Sequence, residues 1–430
     1  MTSTPTSAGP ELEPVGEDPV PDVSAPDVSV DVPPGPGSGP GAFLFSTREV
    51  TLRTTGVRTR VPDASPGSVG AIAAATLAAE RAAGNPAPLV VGAVGFAPGE
   101  ARLVVPAHVH RTPTIARAEG DAPPAPPLTA PPSAPASIGT RWDFRAEPPP
   151  PRYAAAVRRA LEMIAEGDLE KVVLARAATL TAPEPLDLAV VLERLAARNP
   201  SGYLFAADVS DPDVVVSCGQ PTPRTLLGNS PELLAARRGD VVVSHPLAGT
   251  APRSPDPDED ARRGEVLASS AKDLREHALV VDRVAERLAP FCTSLEVPSS
   301  PSVTRTNALW HLGTRIEGRL RDPAPTSLQL AEALHPTPAV CGEPTGAARD
   351  AIEKLEEFPR GFYSGLVGWC DADGDGEWAV TIRCAEVAGR AVRVYAGAGV
   401  VEGSRPEAEL AETSAKFRTL LTALGLEATP

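Results

Sequence analysis

Hydrophobic and polar positions follow two different periodicities along this chain, and each periodicity predicts a different kind of secondary structure. Apolar residues at helical spacing predict helices over 68–84, 152–170, roughly 259–289 and 406–424. Short apolar or alternating runs bounded by turn residues predict strands over 88–98, 171–182, 202–209, 240–247, 365–370, 377–387 and 391–401. No internal repeat is apparent. The order of elements predicts an α+β fold, in which large, mostly antiparallel sheets are flanked by helices.

Two of the predicted helices carry acidic pairs at the same spacing. Apolar residues three or four apart predict the buried face of the first helix as Leu274, Ala278, Val281, Ala285 and Leu288. Asp273 and Glu276 share another face of that helix, as do Glu409, Glu412 and Lys416 in 406–424. Solvated helix faces often carry such pairs, and that interpretation stays open. If the two helices converge, four carboxylates could hold one hard cation such as Mg²⁺.

Proline divides the chain into regions of different character. The 50 prolines are concentrated in two stretches, and the first of these predicts a disordered tail of Pro, Gly and acidic residues over 1–40. Residues 41–150 are predicted to form an N-terminal β/α part of the fold, with a Pro-rich loop at 121–137. The region 151–426 is dense in predicted helices and strands.

Charge and composition exclude several classes of partner. A net charge of −15 argues against nucleic acid and anionic membrane surfaces. The N-terminus has neither the basic nor the apolar region of a signal peptide, and no uninterrupted apolar stretch is long enough to span a membrane. The five cysteines include no C-x-x-C pair, so we expect a reducing, cytoplasmic environment.

Lysine is scarce in this chain. It has only Lys171, Lys272, Lys354 and Lys416, which leaves 36 of the 40 basic residues as arginine. Lys171 begins the predicted strand 171–182, where a buried ammonium could lose its proton and a guanidinium could not. Proton transfer is therefore a candidate role for Lys171, although chance survival of four lysines is an equally simple explanation.

Two glycine-containing stretches imitate known binding loops. "DADGDGEW" (371–378) begins like a calcium-binding loop, but Ile382 stands where the closing glutamate belongs, so we predict a hairpin turn. In "YAGAG", Gly397 and Gly399 lack a third glycine at the spacing of a dinucleotide site. Close approach of this backbone to a small anion remains plausible.

Seven segments, in the same order along the chain, resemble the chorismate-utilising enzymes and, within them, the isochorismate synthases. They are "EKVVLARA", "NSPELL", "HPLAGTAPR", "AKDLREHALVVDRV", "HPTPAVCG", "GFYSGLVGWCDADGDGEWAVTIRCAEV" and "YAGAGVVEGSRPEAELAETSAKF". The resemblance implies the fold of chorismate-binding enzymes and anthranilate synthase component I, as a single catalytic domain in which 151–426 is the chorismate-binding catalytic region. It also implies Mg²⁺-dependent conversion of chorismate to isochorismate, in which water adds to one ring carbon and a hydroxyl leaves from another.

The resemblance assigns the two proton transfers to Lys171 and Glu232. Lys171 matches the general base that deprotonates the attacking water, and we expect burial or a nearby positive charge to lower its pKa. Glu232, in "SPELL", matches the general acid that protonates the leaving hydroxyl. That role requires an apolar or anionic setting that raises its pKa. Without the resemblance, Glu232 would be interpreted as a residue at a helix start.

The resemblance also implies a metal site and a substrate pocket. Glu276 and Glu412 match direct Mg²⁺ ligands, and Asp273 and Glu409 match supporting carboxylates, although the family often has glutamate at the position of Asp273. Tyr363 and Arg383 match residues that hold the enolpyruvyl carboxylate. The other substrate-binding candidates are Gly249, Thr250, His311, Gly397, Gly399 and Lys416. His311 is equally well explained as a hydrogen-bonded core histidine, and no chemistry is assigned to Lys272 or Lys354.

Single residues distinguish the activities of related chorismate-utilising enzymes. Ala248 stands where aminodeoxychorismate synthases have a lysine that bonds to the ring, which excludes that activity. Lys171 stands where anthranilate synthases typically have glutamine, so we expect a monomer with no glutaminase partner. Salicylate synthase, which goes on to eliminate pyruvate, stays open as an alternative. Isochorismate can feed 2,3-dihydroxybenzoate siderophores, which we favour, or menaquinone. A catalytically inactive binding protein would be expected to lack one of these residues, and none is missing.

Overall fold

Residues 39–63, 68–114, 142–211 and 223–426 are described by the computed structural model of this chain. The predicted tail at 1–40 falls almost wholly outside these residues, and the predicted Pro-rich loop at 121–137 falls wholly outside them. The proposed division of the chain at residues 41, 151 and 426 therefore stays a prediction.

The described residues form eight helices and twenty strands. The helices are α1 (Val69–Ala82), α2 (Pro150–Ala165), α3 (Leu188–Arg198), α4 (Pro257–Ser269), α5 (Ala271–Leu288), α6 (Ser327–Leu334), α7 (Thr345–Leu355) and α8 (Pro406–Ala423). The strands are β1 (Phe43–Ser46), β2 (Val50–Arg60), β3 (Leu89–Val94), β4 (Ala101–Pro113), β5 (Asp143–Glu147), β6 (Lys171–Thr181), β7 (Tyr203–Asp208), β8 (Thr225–Ser230), β9 (Leu233–Arg238), β10 (Val241–His245), β11 (Leu247–Pro252), β12 (Cys292–Glu296), β13 (Ser302–Arg305), β14 (Leu309–Gly313), β15 (Ile316–Leu320), β16 (Gly342–Glu343), β17 (Leu366–Asp371), β18 (Gly376–Val380), β19 (Cys384–Ala388) and β20 (Ala391–Val401).

Seventeen strands belong to one sheet, in which neighbouring strands run antiparallel. The pairings give the order β12-β15-β10-β9-β18-β17-β3-β4-β2-β1-β7-β8-β19-β20-β6, and β5 and β16 then pair with opposite ends of β6. A second, three-stranded sheet has the order β11-β14-β13. The predicted α+β fold, with large antiparallel sheets flanked by helices, is confirmed.

The two halves of the large sheet face each other, and the helices lie outside. One core cluster contains Phe45, Val91, Phe205, Trp369 and Tyr395 and takes no residue from a helix. Other clusters pack α1, α5 and α6 on one half of the sheet, and α2, α3, α7 and α8 on the other. Apolar side chains on both faces of the sheet are thereby removed from water.

Strand β6 contributes to both an inner and an outer layer. Ala175 and Ala177 join the cluster between the sheet halves, whereas Ala178 packs under α3 and α8. Successive side chains on a strand point to opposite faces. Arg176 therefore lies on the helix-covered face, where it is fully buried and donates to Thr413 Oγ1 at 3.2 Å and Ser414 Oγ at 3.3 Å.

Most predicted elements are confirmed, but two were predicted as continuous and are broken. The helix expected at 259–289 ends at Ser269 and restarts at Ala271, because the extended Ser270 caps α5 through its side chain. The strand expected at 377–387 is two strands, since Arg383 adopts a left-handed backbone with φ of 53°.

The predicted buried face of α5 is only partly right. The buried residues are His277, Val280, Val281, Val284 and Leu288, whereas Ala278 is exposed. The buried face is rotated because the His277 ring is inside, with Nε2 2.7 Å from Thr314 Oγ1. The predicted turn at 371–378 is confirmed as the hairpin between β17 and β18. Among the described residues, no helix is both long and apolar enough to cross a membrane.

Candidate active site

Strands β6 and β20 form the floor of the candidate site. Their register pairs Gly399 with Val173 and Gly397 with Ala175, and the Cα partner of Lys171 is Val401. A Cβ added at Gly397 would lie 2.8 Å from Tyr363 Oη, and one added at Gly399 would collide with Glu276 Oε1. Glycine at both positions therefore lets side chains from other elements come close to the β20 backbone without being displaced by a Cβ.

Lys171 is the first residue of β6 and is completely buried, at 0% exposure. Its Nζ lies 2.9 Å from Glu276 Oε1 on α5, although the two groups lack the geometry of a hydrogen bond. Burial raises the pKa of Glu276, but Lys171 together with Lys272 and Lys416 outweighs burial, and the net shift is downward. Lys171 and Glu276 thus form a buried ion pair, as opposite charges in a low-dielectric site favour.

Glu232 lies in the turn between β8 and β9 and is 2% exposed. Burial disfavours its charged form and raises its pKa to about 7, even though a backbone hydrogen bond from Leu247 and the charge of Lys171 act in the opposite direction. Its Oε1 atom has no hydrogen-bond partner. The raised pKa agrees with the sequence-based expectation, and a carboxyl that titrates near neutrality is suited to donate a proton.

The small sheet supplies one wall of the site. Gly249 has a φ of 79° and is the extra residue of a β-bulge, since Ala248 pairs with Leu312 and Thr250 with His311. Thr250 Oγ1 lies 3.1 Å from His311 Nδ1, while His311 Nε2 is buried without a partner. Burial lowers the pKa of His311 well below its usual value. The ring is therefore neutral, with one nitrogen free for a ligand.

Tyr363 and Arg383 stand on neighbouring irregular segments. Burial raises the pKa of Tyr363 to about 12, so its phenol stays protonated. Its ring stacks on Tyr395 at 4.9 Å between centroids. The guanidinium of Arg383 lies within electrostatic range of Tyr363, Glu412 and Glu232, which places it among the other candidates. Ser364, next to Tyr363, also has a left-handed backbone with φ of 61°, and such strain is often found at functional sites.

The four predicted metal ligands come from the first two turns of α5 and α8, and each already has a partner. Besides the pair of Glu276 with Lys171, Lys272 Nζ lies 3.3 Å from Glu409 Oε1 and Lys416 Nζ lies 2.6 Å from Glu412 Oε1. Asp273 accepts a hydrogen bond from the Ser270 hydroxyl. Within the described ranges, no three histidine, cysteine, aspartate or glutamate side chains stand together as a ready-made metal cluster.

The carboxylates nevertheless fit a hard cation. Burial raises the pKa of Asp273, and the negative charges of Glu276 and Glu412 add to that rise. Burial likewise raises the pKa of Glu409, with a further contribution from Glu412. Acidic groups from both helices thus repel one another in a half-buried site, and a divalent cation would relieve this repulsion.

All the predicted site residues fall within the described ranges, and their contacts link them to one site. Lys416 Nζ donates to the Gly397 carbonyl at 2.8 Å. The positive charges of Arg383 and Lys416 act to lower the pKa of both Glu232 and His311. Sequence reasoning missed Lys272, which joins α5 to α8 at this site. The scarcity of lysine was the one sequence signal that could have indicated Lys272, but we assigned no chemistry to it.

Comparisons with known proteins place these residues in a family. Residues 129–425 match the family described as "Chorismate binding enzyme". The chain is 49% identical over 395 residues to isochorismate synthase DhbC of Bacillus subtilis. The matched region covers 90% of this chain and 94% of that protein.

Two solved structures share the fold. A candidate 2,3-dihydroxybenzoate-specific isochorismate synthase, DhbC from Bacillus anthracis, has a TM-score of 0.81 and 43% identity, covering 90% of this chain and 97% of that one. MenF, the menaquinone-specific isochorismate synthase of Escherichia coli, has a TM-score of 0.72 and 27% identity, covering 89% of this chain and 88% of that one.

Proposed function

The chain belongs to the chorismate-binding enzyme family, and on that premise we propose that it is an isochorismate synthase, which converts chorismate to isochorismate. The observation that carries the proposal is the combination of Glu232 and Lys171 in one buried site. Glu232 has a pKa of about 7 and an unpartnered oxygen, while Lys171 is a fully buried amine that senses the same carboxyl. Glu232 can donate a proton near neutrality, and we assign the role of proton acceptor to Lys171.

The two residues divide the proton transfers of the reaction between them. Lys171, as the neutral amine, takes a proton from a water that attacks ring carbon 2 of chorismate. The ring double bonds shift, the bond from carbon 4 to its hydroxyl breaks, and Glu232 protonates the departing oxygen to give water. One water is added and one is released, so the ring gains no atom. An ammonium cannot act as a base, so the Lys171 contact with Glu276 must give way before catalysis.

The carboxylates of α5 and α8 suit Mg²⁺, which would be held directly by Glu276 and Glu412 with support from Asp273 and Glu409. When bound, the cation supplies positive charge for the ring carboxylate of chorismate. This answers how a protein of net charge −15 could bind a dianion.

The other end of the substrate carries the enolpyruvyl carboxylate, which we assign to Tyr363 and Arg383. The protonated Tyr363 phenol and the Arg383 guanidinium are both donors, and a planar guanidinium can grip a carboxylate with two hydrogen bonds. Neutral His311 and Thr250 line the ring, and the Gly397–Gly399 backbone allows close approach of the ligand.

Of the possible pathways, we propose 2,3-dihydroxybenzoate siderophore synthesis. The similarity to DhbC from Bacillus anthracis exceeds that to menaquinone-specific MenF, both in identity (43% against 27%) and in TM-score (0.81 against 0.72). We further propose a monomeric, cytoplasmic enzyme without a glutaminase partner, because water rather than ammonia is the nucleophile. Menaquinone synthesis and salicylate synthase activity are the alternatives.

Product analysis tests the activity. The purified full-length protein is incubated with chorismate, with and without Mg²⁺, and the products are separated by chromatography. Isochorismate without pyruvate, formed only with Mg²⁺, is the expected outcome. Salicylate with equimolar pyruvate would instead make the protein a salicylate synthase, and no turnover of fresh chorismate would refute an enzymatic role.

A further inference from the structure

Three of the four lysines of this chain meet acidic groups at the candidate active site. Their partners are Glu276 for Lys171, Glu409 for Lys272 and Glu412 for Lys416. Arginine supplies the other 36 of the 40 basic residues. Four carboxylates thus face three ammonium groups, with Lys354 on α7 as the one lysine outside the set.

Lys272 is the lysine of this set that the proposed reaction leaves without a role. It lies in the first turn of α5, where the helix dipole disfavours a positive charge. Its side chain is 36% exposed, while its partner Glu409 on α8 is 2% exposed. Lys272 therefore reaches from the surface to a buried carboxylate and bridges the two helices that carry the predicted metal ligands.

We propose that Lys272 is an exchangeable counter-ion, which neutralises Glu409 while no divalent cation is bound and releases it when one binds. The inference rests on the proposed metal site. A lysine ammonium is a single point charge on a flexible chain, so it can leave a carboxylate at little loss. An arginine would grip both carboxylate oxygens with its planar fork and compete with the cation more strongly.

Opposite substitutions at this position have opposite expected effects. Lys272→Met removes the competing charge but keeps the length of the side chain, so Mg²⁺ should bind about threefold to tenfold more tightly, as expected for loss of a partly exposed ion pair. The metal-free protein should melt at a lower temperature, and Mg²⁺ should raise that temperature by more than in the wild type. Lys272→Arg should weaken Mg²⁺ binding about threefold and raise the metal-free melting temperature.

Calorimetric titration with Mg²⁺ and thermal unfolding with and without Mg²⁺ make the test, using full-length wild type, both variants and Lys354→Met. Lys354 is exposed on α7, so its variant has the same change in net charge away from the site and should match the wild type. If both Lys272 variants shift Mg²⁺ affinity in one direction, or neither does, the inference is overturned. The same holds if Lys354→Met tightens binding as much as Lys272→Met does.

Failure of the underlying function gives a different result. If the wild type does not bind Mg²⁺ at all, the proposed metal site is wrong and the inference falls with it. If the wild type binds Mg²⁺ and makes isochorismate while the Lys272 variants behave like it, only the counter-ion role is refuted. Should Lys272→Met fail to fold, Lys272→Gln provides the uncharged comparison.

Discussion

Two groups of buried ionisable side chains lie near strand β6, and they differ in how completely they are hydrogen-bonded. The first is Glu356 with Arg360, each side chain 2% exposed. Arg360 donates to Glu356 and to the Val340 and Val173 carbonyls, and Glu356 accepts from the Ala175 amide. This pair fills the edge of β6 between its partners β16 and β5.

The second group is Lys171, Glu232 and His311, and it is incomplete. Lys171 Nζ, Glu232 Oε1 and His311 Nε2 are all buried atoms without a hydrogen-bond partner. Buried polar groups in folded proteins are nearly always satisfied, because an unsatisfied one costs about 1–3 kcal/mol. The fully bonded Glu356–Arg360 pair thus serves the fold, whereas the unpartnered atoms of Lys171, Glu232 and His311 lie at the candidate active site, where a substrate can bond to them.

The largest expected effect comes from Lys171. Lys171→Gln removes the proposed base but keeps a polar side chain beside Glu276, so turnover should fall by about 10²–10⁴-fold. Steady-state kinetics at neutral pH measure the loss, and circular dichroism checks the fold. Lys354→Gln, on the exposed face of α7, serves as the matched control. Near-normal turnover of Lys171→Gln would refute its assignment as the base.

Substitution in the fully hydrogen-bonded Glu356–Arg360 pair should lower the stability of the fold. Arg360→Met leaves Glu356 buried without its partner, so the free energy of unfolding should drop by about 3–5 kcal/mol. Denaturant unfolding measures the drop. The double variant Arg360→Met/Glu356→Gln buries no unpaired charge and should recover part of the loss. A loss below about 1 kcal/mol in the single variant would contradict the structural role of the pair.

Glu232 sharpens the contrast, because its removal should stabilise the fold. The folded-state pKa of about 7 is raised above the ordinary value of 4.5, so the group favours folding below pH 4.5 and loses that contribution as pH rises through 7. Glu232→Gln imitates the protonated form. Its unfolding free energy should match the wild type near pH 4.5 and exceed it by about 3 kcal/mol at pH 8, while turnover falls.

The wild-type pH profile provides the companion measurement. As the proposed acid, Glu232 must be protonated, so kcat/KM should fall above about pH 7. A stability difference that is constant with pH would show that Glu232 titrates normally. A kcat/KM that stays level up to pH 9 would remove Glu232 from the proton-transfer step.

The sequence predicted those features that depend on local spacing. Strand β20 and helices α2 and α8 follow from periodicity within one segment, and Lys171 stood out through the scarcity of lysine. The break at Ser270 had a local signal, since Ser270 and Asp273 stand at capping spacing. The left-handed backbone of Arg383 had none, because its conformation depends on contacts with β8 and the Tyr363 segment.

The sequence did not predict how elements far apart along the chain are arranged in space. The seventeen-strand order joins segments far apart in sequence, such as β17 with β3. The pairing of Lys272 with Glu409 joins residues 137 positions apart, and nothing in either helix alone specifies it. The buried face of α5 is rotated because His277 contacts Thr314, and the apolar periodicity of the helix alone does not predict this contact.

The alternation of faces along β6 limits how genes for such enzymes can diverge. Lys171 faces the site and Arg176 faces the covering helix α8. Because side chains on a strand alternate, inserting or deleting one codon within β6 would exchange the two faces. The amine would then enter the helix layer while an apolar neighbour took its place among the reacting groups. Relatives can therefore vary this strand by substitution at fixed length, whereas loops can also change in length.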